Sequence, residues 1–242
     1  MAKATWVFSV DWNADGDFLD VGENISADVF EAEWTIGRDY ASQLTGRSAA
    51  GTLTLRLWNT SGTYNSFNAA SIIYGNILPR RKVQVTTTAP SATTQWTGYL
   101  DSITPSPAVG GLPTATLRAY GPLGVISGRE TSLAMQSSIT TDTAFGAILD
   151  DVGWAAGDRS LDTGLTTMTR FWVDKQNALT ALRKIEDTEA GFIREGKDGK
   201  IYFHKRLYRL SSPYTISQAT YSDAVGATIP YRGIEQADPL RE

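Results

Sequence analysis

The chain has 242 residues, 41% of them apolar and 20% charged, which suits one large all-β domain or two smaller ones and excludes wholesale disorder. A formal net charge of −4 gives no support to nucleic-acid binding, which wants a basic face. The absence of cysteine excludes disulfides, thiolate catalysis and zinc–sulfur sites, and leaves the redox compartment open.

Met1 to Trp6 carries no apolar run suited to a signal peptide, and no stretch approaches membrane-spanning length. A soluble chain that does not take the ordinary secretory route is therefore expected. Trp6-Val7-Phe8-Ser9-Val10 reads as a strand, and an acidic segment, residues 11–23, follows at once. Asp11, Asn13 and Asp15, followed by Gly16, match the first half of an EF-hand calcium loop. A hard cation takes six to eight oxygens, and the glycine permits the reversal that returns later ligands to the same ion.

The twelfth loop position, normally a bidentate Glu, is Gly22, so Asp20 or Glu23 would supply the closing carboxylate. The backbone carbonyl of Asp17 is the natural seventh-position ligand. Asp11, Asn13, Asp15, Asp17, Asp20 and Glu23 are thus the candidate ligands of a structural Ca2+ ion clamping a turn between strands. Asp, Asn and Gly are also ordinary turn residues. Five carboxylates in thirteen residues nevertheless repel one another unless something neutralises them.

Residues 26–34 form the next strand candidate. Residues 51–58 alternate strictly, with Leu53, Leu55 and Leu57 on one face, and residues 82–88 repeat the pattern with Val83 and Val85. Residues 95–100 and 114–120 complete about six short strands before Gly121, separated by Gly, Pro, Ser and Asn clusters. Such a series predicts a barrel or sandwich. Trp6, Trp34, Trp58 and Trp96 fall in these strands, where core packing is the expected use.

Beyond Gly121 the pattern changes to helices. Gly121-Pro122-Leu123-Gly124 reads as turn material. Residues 143–152 put Phe145, Ile148, Leu149 and Val152 on one stripe, with Gly153 as C-cap. Asp174 is placed to cap a second helix running to about Glu189 on Ala178, Leu179, Leu182 and Ile185, ended by Gly191. Residues 192–204 read as a hairpin around Asp198-Gly199. Trp154 and Trp172 flank the helices and are placed to join the two parts. From Pro213 the chain reads as extended and polar, with Tyr214-Thr215-Ile216 a strand candidate and Pro230 confining Ile229 and Tyr231 to an edge. The native polypeptide is expected to continue past Glu242 or to pair its tail with a neighbouring chain.

The fold class that results is mainly β with a small α+β insertion, divided as 1–125 (β-barrel with the acidic loop), 126–212 (two helices and a hairpin) and 213–242 (an extended tail or the start of a second barrel). Catalysis finds little support. The single histidine, His204, reads as an exposed strand residue without a nucleophile motif. The acids Asp150, Asp151, Glu186, Asp187 and Glu189 read as solvated helix faces rather than a glycosidase pair. Arg80-Arg81-Lys82 reads as a solvated edge or a contact for an acidic partner, ahead of a DNA contact.

The order of these elements is similar to that of bacteriophage baseplate or tail hub proteins. The stretch from Ala178-Leu179-Thr180-Ala181-Leu182 through Glu189-Ala190-Gly191-Phe192-Ile193 to Asp198-Gly199-Lys200-Ile201-Tyr202-Phe203 resembles the hub pattern of helix, glycine turn and aromatic strand. Residues 37–48, 59–68 and 78–82 resemble the N-terminal, tail-tube-like barrel of minor tail proteins. The resemblance implies a non-enzymatic virion protein assembled in the host cytoplasm. It implies a homotrimeric hub joining tail tube to tip, lining the conduit and meeting tail tube, distal tail and tape-measure proteins, without membrane or specific nucleic acid. A calcium-stabilised carbohydrate-binding or adhesion module is the alternative, favoured by seven Trp and ten Tyr and disfavoured by the missing export signal.

Overall fold

The computed structural model of the protein describes residues 5–37, 47–88, 91–107 and 111–216. Most of the 37–48 resemblance segment, and the expected edge strand around Ile229 and Tyr231, lie outside the described residues. The chain divides into two compact units, Met1–Lys205 and Arg206–Glu242.

In the first unit, β1 (Trp6–Val10), β2 (Val29–Thr35), β3 (Thr52–Trp58), β4 (Lys82–Thr87), β5 (Thr93–Ser106) and β6 (Thr114–Tyr120) form one antiparallel sheet in the order β1-β4-β5-β6-β3-β2. Strict alternation builds it. Leu53, Leu55 and Leu57 face inward and sit in register with Ala119, Leu117 and Ala115 of β6, so large residues meet mostly small ones. Val83, Val85, Phe8, Val10 and Trp96 complete the core, each such apolar side chain contributing about 2 kcal/mol on burial. β5 runs well past the expected residue 100 and includes Pro105. Its ladder with β4 ends at Tyr99 and Leu100 still exchanges backbone hydrogen bonds with Arg80 and Arg81, whereas Pro105 lies where only β6 pairs with β5, so a proline is tolerated on the open side.

The sheet is curled into a half-barrel. Trp6 on β1 and Trp34 on β2, from opposite edges of the sheet, meet edge to face with ring centroids 5.1 Å apart. Side chains therefore span the gap that backbone pairing leaves. Of the four tryptophans expected in the core, Trp96 is fully buried, whereas Trp6 and Trp58 are 41% and 39% exposed because their alternation places them at the sheet's edge or outer face. The free edge of β1 is covered by its own loop: Val10 N–H donates to Glu23 O (2.9 Å) and Ile25 N–H to Phe8 O (2.9 Å).

The second core of this unit gathers α1 (Pro122–Ser127), β7 (Glu130–Thr140), α2 (Thr141–Asp151), β8 (Arg159–Leu161), β9 (Thr167–Asn177), α3 (Ala178–Glu189), β10 (Phe192–Glu195) and β11 (Ile201–His204). Phe145 of α2 stacks on Phe203 of β11 at 4.8 Å, with Ile148, Leu149, Leu182, Ile193 and Ile201 around them. The expected hairpin is β10–β11, and β8 adds to it in parallel.

Three local expectations are corrected. The sequence from Pro122 opens the short helix α1, with proline in its first turn, and is not a free turn. The cap of α3 is Asn177, whose Oδ1 accepts from Thr180 N–H (3.1 Å), because β9 pairing continues through Asn177 and keeps Asp174 in the strand. Tyr214 to Ile216 forms a turn instead of a strand. The long ribbon β7–β9 was not foreseen, because bulges between Thr131 and Gln136 break its alternation.

Trp154 packs against Tyr99 of β5 at 5.6 Å and so joins the two cores, while Trp172 does not and stands 60% exposed. In the second unit, Tyr208–Leu210 is a 3-10 turn and the hydroxyls of Tyr208 and Tyr214 lie 2.8 Å apart.

Candidate functional site

The acidic loop leaves β1 at Asp11 and returns along its edge at Glu23. Gly16 and Gly22 take φ of +98° and +91°, values that side chains resist, so glycine at both places is what lets the loop fold back. A Cβ on Gly22 would also lie 3.1 Å from Ile72. The carboxylates of Asp11, Asp15 and Glu23 come together, with one oxygen of each within 4.8 Å of the others. Asp11 and Glu23 are buried and Asp15 is exposed.

Hydrogen bonds hold these groups in place. Asp11 accepts from Ala14 N–H (2.6 Å) and Gly16 N–H (3.1 Å), and Glu23 from Trp12 N–H and Asp20 N–H (3.1 Å each). Asn13 Nδ2 donates to Asp15 (2.9 Å) and Asp20 (2.5 Å), which places Asn13 and Asp20 beside the trio. The Asp17 carboxylate turns to Leu19 N–H (2.9 Å). Each ionised carboxylate oxygen keeps a lone pair beyond the N–H it accepts, so the set can still ligate a hard cation. Burial pushes the Glu23 carboxyl above the usual range, against the pull of Asp20 and Trp12 N–H, and Asp11 adds to the rise. The Asp17 N–H and the Asn13 amide hold Asp15 below it.

Three glutamates expected, or passed over, as surface residues are buried acceptors. Glu186 takes Ile193 N–H (2.6 Å) and Arg183 Nη1 (2.8 Å). Glu189, fully buried, takes Thr141 Oγ1–H (2.8 Å) and Thr166 N–H (2.9 Å). Glu195 of β10 takes Gly51 N–H (2.6 Å) and Leu123 N–H (2.7 Å), tying the second core to the start of β3 and to α1. The expectation of solvated helix faces fails for Glu186 and Glu189 because the segment before β9, the start of α2 and the start of β10 pack over that side and bring donors with them: Leu165 and Thr166 N–H and the Thr141 hydroxyl to Glu189, and Ile193 N–H to Glu186. Asp187 alone stays exposed there, paired with Arg47 at 2.6 Å.

His204 is also buried, not exposed. Its Nε2 accepts from Arg194 Nε (3.1 Å), which leaves Nδ1–H to donate to Asp162 Oδ2 (3.2 Å). Burial pushes its pKa down, and Asp162 pulls it part of the way back. In the basic cluster, Lys82 reaches Asp158 (3.8 Å) and Arg81 Nε donates to Asn76 O (3.3 Å). Among the described residues no helix is long and apolar enough to cross a membrane.

A curled antiparallel sheet followed by a helical and hairpin core is the fold of a class of phage tail proteins. The tail protein of Neisseria meningitidis MC58 superposes with a TM-score of 0.54 at 11% identity, over 84% of this chain and 51% of its own. The 43 kDa tail protein of prophage MuSo2 from Shewanella oneidensis gives 0.51 at 13% identity, over 84% and 54%. A chain of the half-lidded Francisella PdpA–VgrG complex gives 0.50 at 13%, over 84% and 31%. The chain thus spans about half the length of these two tail proteins. No family model matches the sequence, and no curated protein matches it.

Proposed function

We propose that the chain is a structural subunit of a phage tail tip or baseplate hub, joining tail tube to tip and lining the conduit. It works by assembly, as a ring of copies (a trimer in this reading), against tail tube, distal tail and tape-measure proteins. It catalyses no reaction. The setting is the virion tail, put together in the host cytoplasm. The observation that carries the reading is the shared fold over 84% of the chain with two tail proteins. Its carboxylates and its histidine are also engaged in holding loops, which suits a scaffold.

The acidic loop is proposed as a structural Ca2+ site. Asp11, Asp15 and Glu23 form the centre, with Asn13 and Asp20 beside them and the Asp17 carbonyl as a further oxygen. An ion there would offset the mutual repulsion of these acids and favour the ionised form of Glu23.

Sedimentation velocity of the purified chain, followed by electron microscopy of tails decorated with an antibody against it, tests the tail reading. A threefold ring and label confined to the tail tip are expected. Label along the tail shaft or on the capsid would refute the placement.

A further inference from the structure

Trp172 does not join the two cores as expected, so a large aromatic side chain at 60% exposure has no packing role to explain it. β9 alternates here. Phe171 and Val173 turn toward the second core, while Arg170, Trp172 and Asp174 are exposed at i, i+2 and i+4 on the outer face. On β7 a bulge lies between Leu133 and Gln136, and the intervening Met135 is 61% exposed. Leu133, Met135, Trp172 and Val173 line an open groove of about 700 Å³ with Arg170 and Asp174. A concavity of this size, mostly apolar with a few polar groups, is the usual form of a small-ligand site.

The polar groups set the kind of ligand. Neither Arg170 nor Asp174 makes a side-chain hydrogen bond or ion pair among the described residues. Four residue steps of extended strand span about 13 Å, and the two stand on either side of the indole without pairing. Asp151, near the rim, is already engaged by Thr131 Oγ1–H (2.7 Å) and Ser132 N–H (3.0 Å). The groove therefore offers one obligate donor, one obligate acceptor and an aromatic face, and its two charges cancel. A hydroxyl both donates and accepts, and a sugar ring carries several around faces of C–H bonds. A neutral saccharide lying on the indole gives a hydrogen bond to Asp174 and takes one from Arg170. An apolar protein patch seated here would instead bury both charges without partners, at a large desolvation cost. We propose that this groove is a subsite for a neutral saccharide, with Trp172 as the stacking platform and Arg170 and Asp174 as its hydrogen-bonding pair. Binding by the isolated chain needs nothing from the ring reading. That the sugar belongs to a cell-surface polysaccharide rests on the tail-tip placement above.

Isothermal titration calorimetry with maltohexaose, cellohexaose and chitohexaose is the test, with circular dichroism confirming that each variant is folded. At least one probe should bind with a dissociation constant on the order of 1 mM or tighter. Trp172→Ala should weaken that binding ~10-fold or more, and Trp172→Phe should keep most of it. Arg170→Ala and Asp174→Ala should each weaken it ~5-fold. Sedimentation velocity on the same variants should show the wild-type oligomer. No binding of any probe up to about 10 mM overturns the proposal and leaves the tail placement standing. A Trp172→Ala chain that binds as wild type does overturns it too, as does one that loses self-association, which would mark the groove as a contact between subunits. Antibody label along the tail shaft would remove the cell-surface source and leave saccharide binding intact.

Discussion

Replacing Glu195 tests whether a single buried carboxylate couples the sheet to the helical core. In Glu195→Ala, the N–H groups of Gly51 and Leu123, now 2.6 and 2.7 Å from carboxylate oxygens, lose their acceptor inside the protein. An orphaned buried donor costs about 1–3 kcal/mol, so the pair amounts to about 2–6 kcal/mol. Part of this is returned, because the carboxylate itself is held against a desolvation cost. A net loss of about 2–4 kcal/mol is expected, which for a chain of this size lowers Tm by about 5–15 °C. Glu195→Gln keeps one acceptor and should fall between wild type and alanine.

The same residue gives a pH signature. Burial raises the Glu195 pKa, against the Leu123 and Gly51 N–H groups and Arg183. A raised folded pKa means stability that is complete below the unfolded value and lost as pH rises through the folded one. The deficit of Glu195→Ala should therefore widen as pH falls through that window. Scanning calorimetry, with urea titrations followed by tryptophan fluorescence, measures both effects. A change below about 0.5 kcal/mol would mean that Gly51 and Leu123 find other partners and that the coupling argument is wrong.

Three further outcomes are expected. Glu189 has the opposite sign: burial pushes its pKa up, but Thr141 and the N–H groups of Leu165 and Thr166 together hold it below the ordinary value. The deficit of Glu189→Gln should accordingly be full at neutral pH and shrink as pH falls below the ordinary glutamate range, as read from urea midpoints. Asp15→Ala should lower Tm in calcium buffer and change little after chelation, and a wild-type Tm indifferent to chelator would remove calcium from the account. Gly22→Ala, forced into φ +91° against Ile72, should cost about 1–3 kcal/mol in denaturant titrations and weaken any calcium response.

The sheet was legible because period-2 alternation is local. Leu53, Leu55 and Leu57 announce a buried face in consecutive residues, and no distant contact is needed to read them. The acidic loop was legible for the same reason, since Asp11, Asn13, Asp15 and Gly16 stand within six positions. The β7–β9 ribbon was not, because its bulges shift the pattern and its pairing partners lie 27 (Thr140 to Thr167) to 47 (Glu130 to Asn177) residues away.

The strands of the six-stranded sheet, the β10–β11 hairpin, the two helical stripes and the acidic loop were determined by the sequence alone, because each follows from side chains spaced along a few turns or pleats. Burial of Glu186, Glu189, Glu195 and His204 was decided only by the tertiary structure. A charged residue on a helix or strand reads as solvated until a loop from elsewhere arrives to donate hydrogen bonds. Which loop arrives is a property of the packed chain and not of the residue's neighbours in sequence.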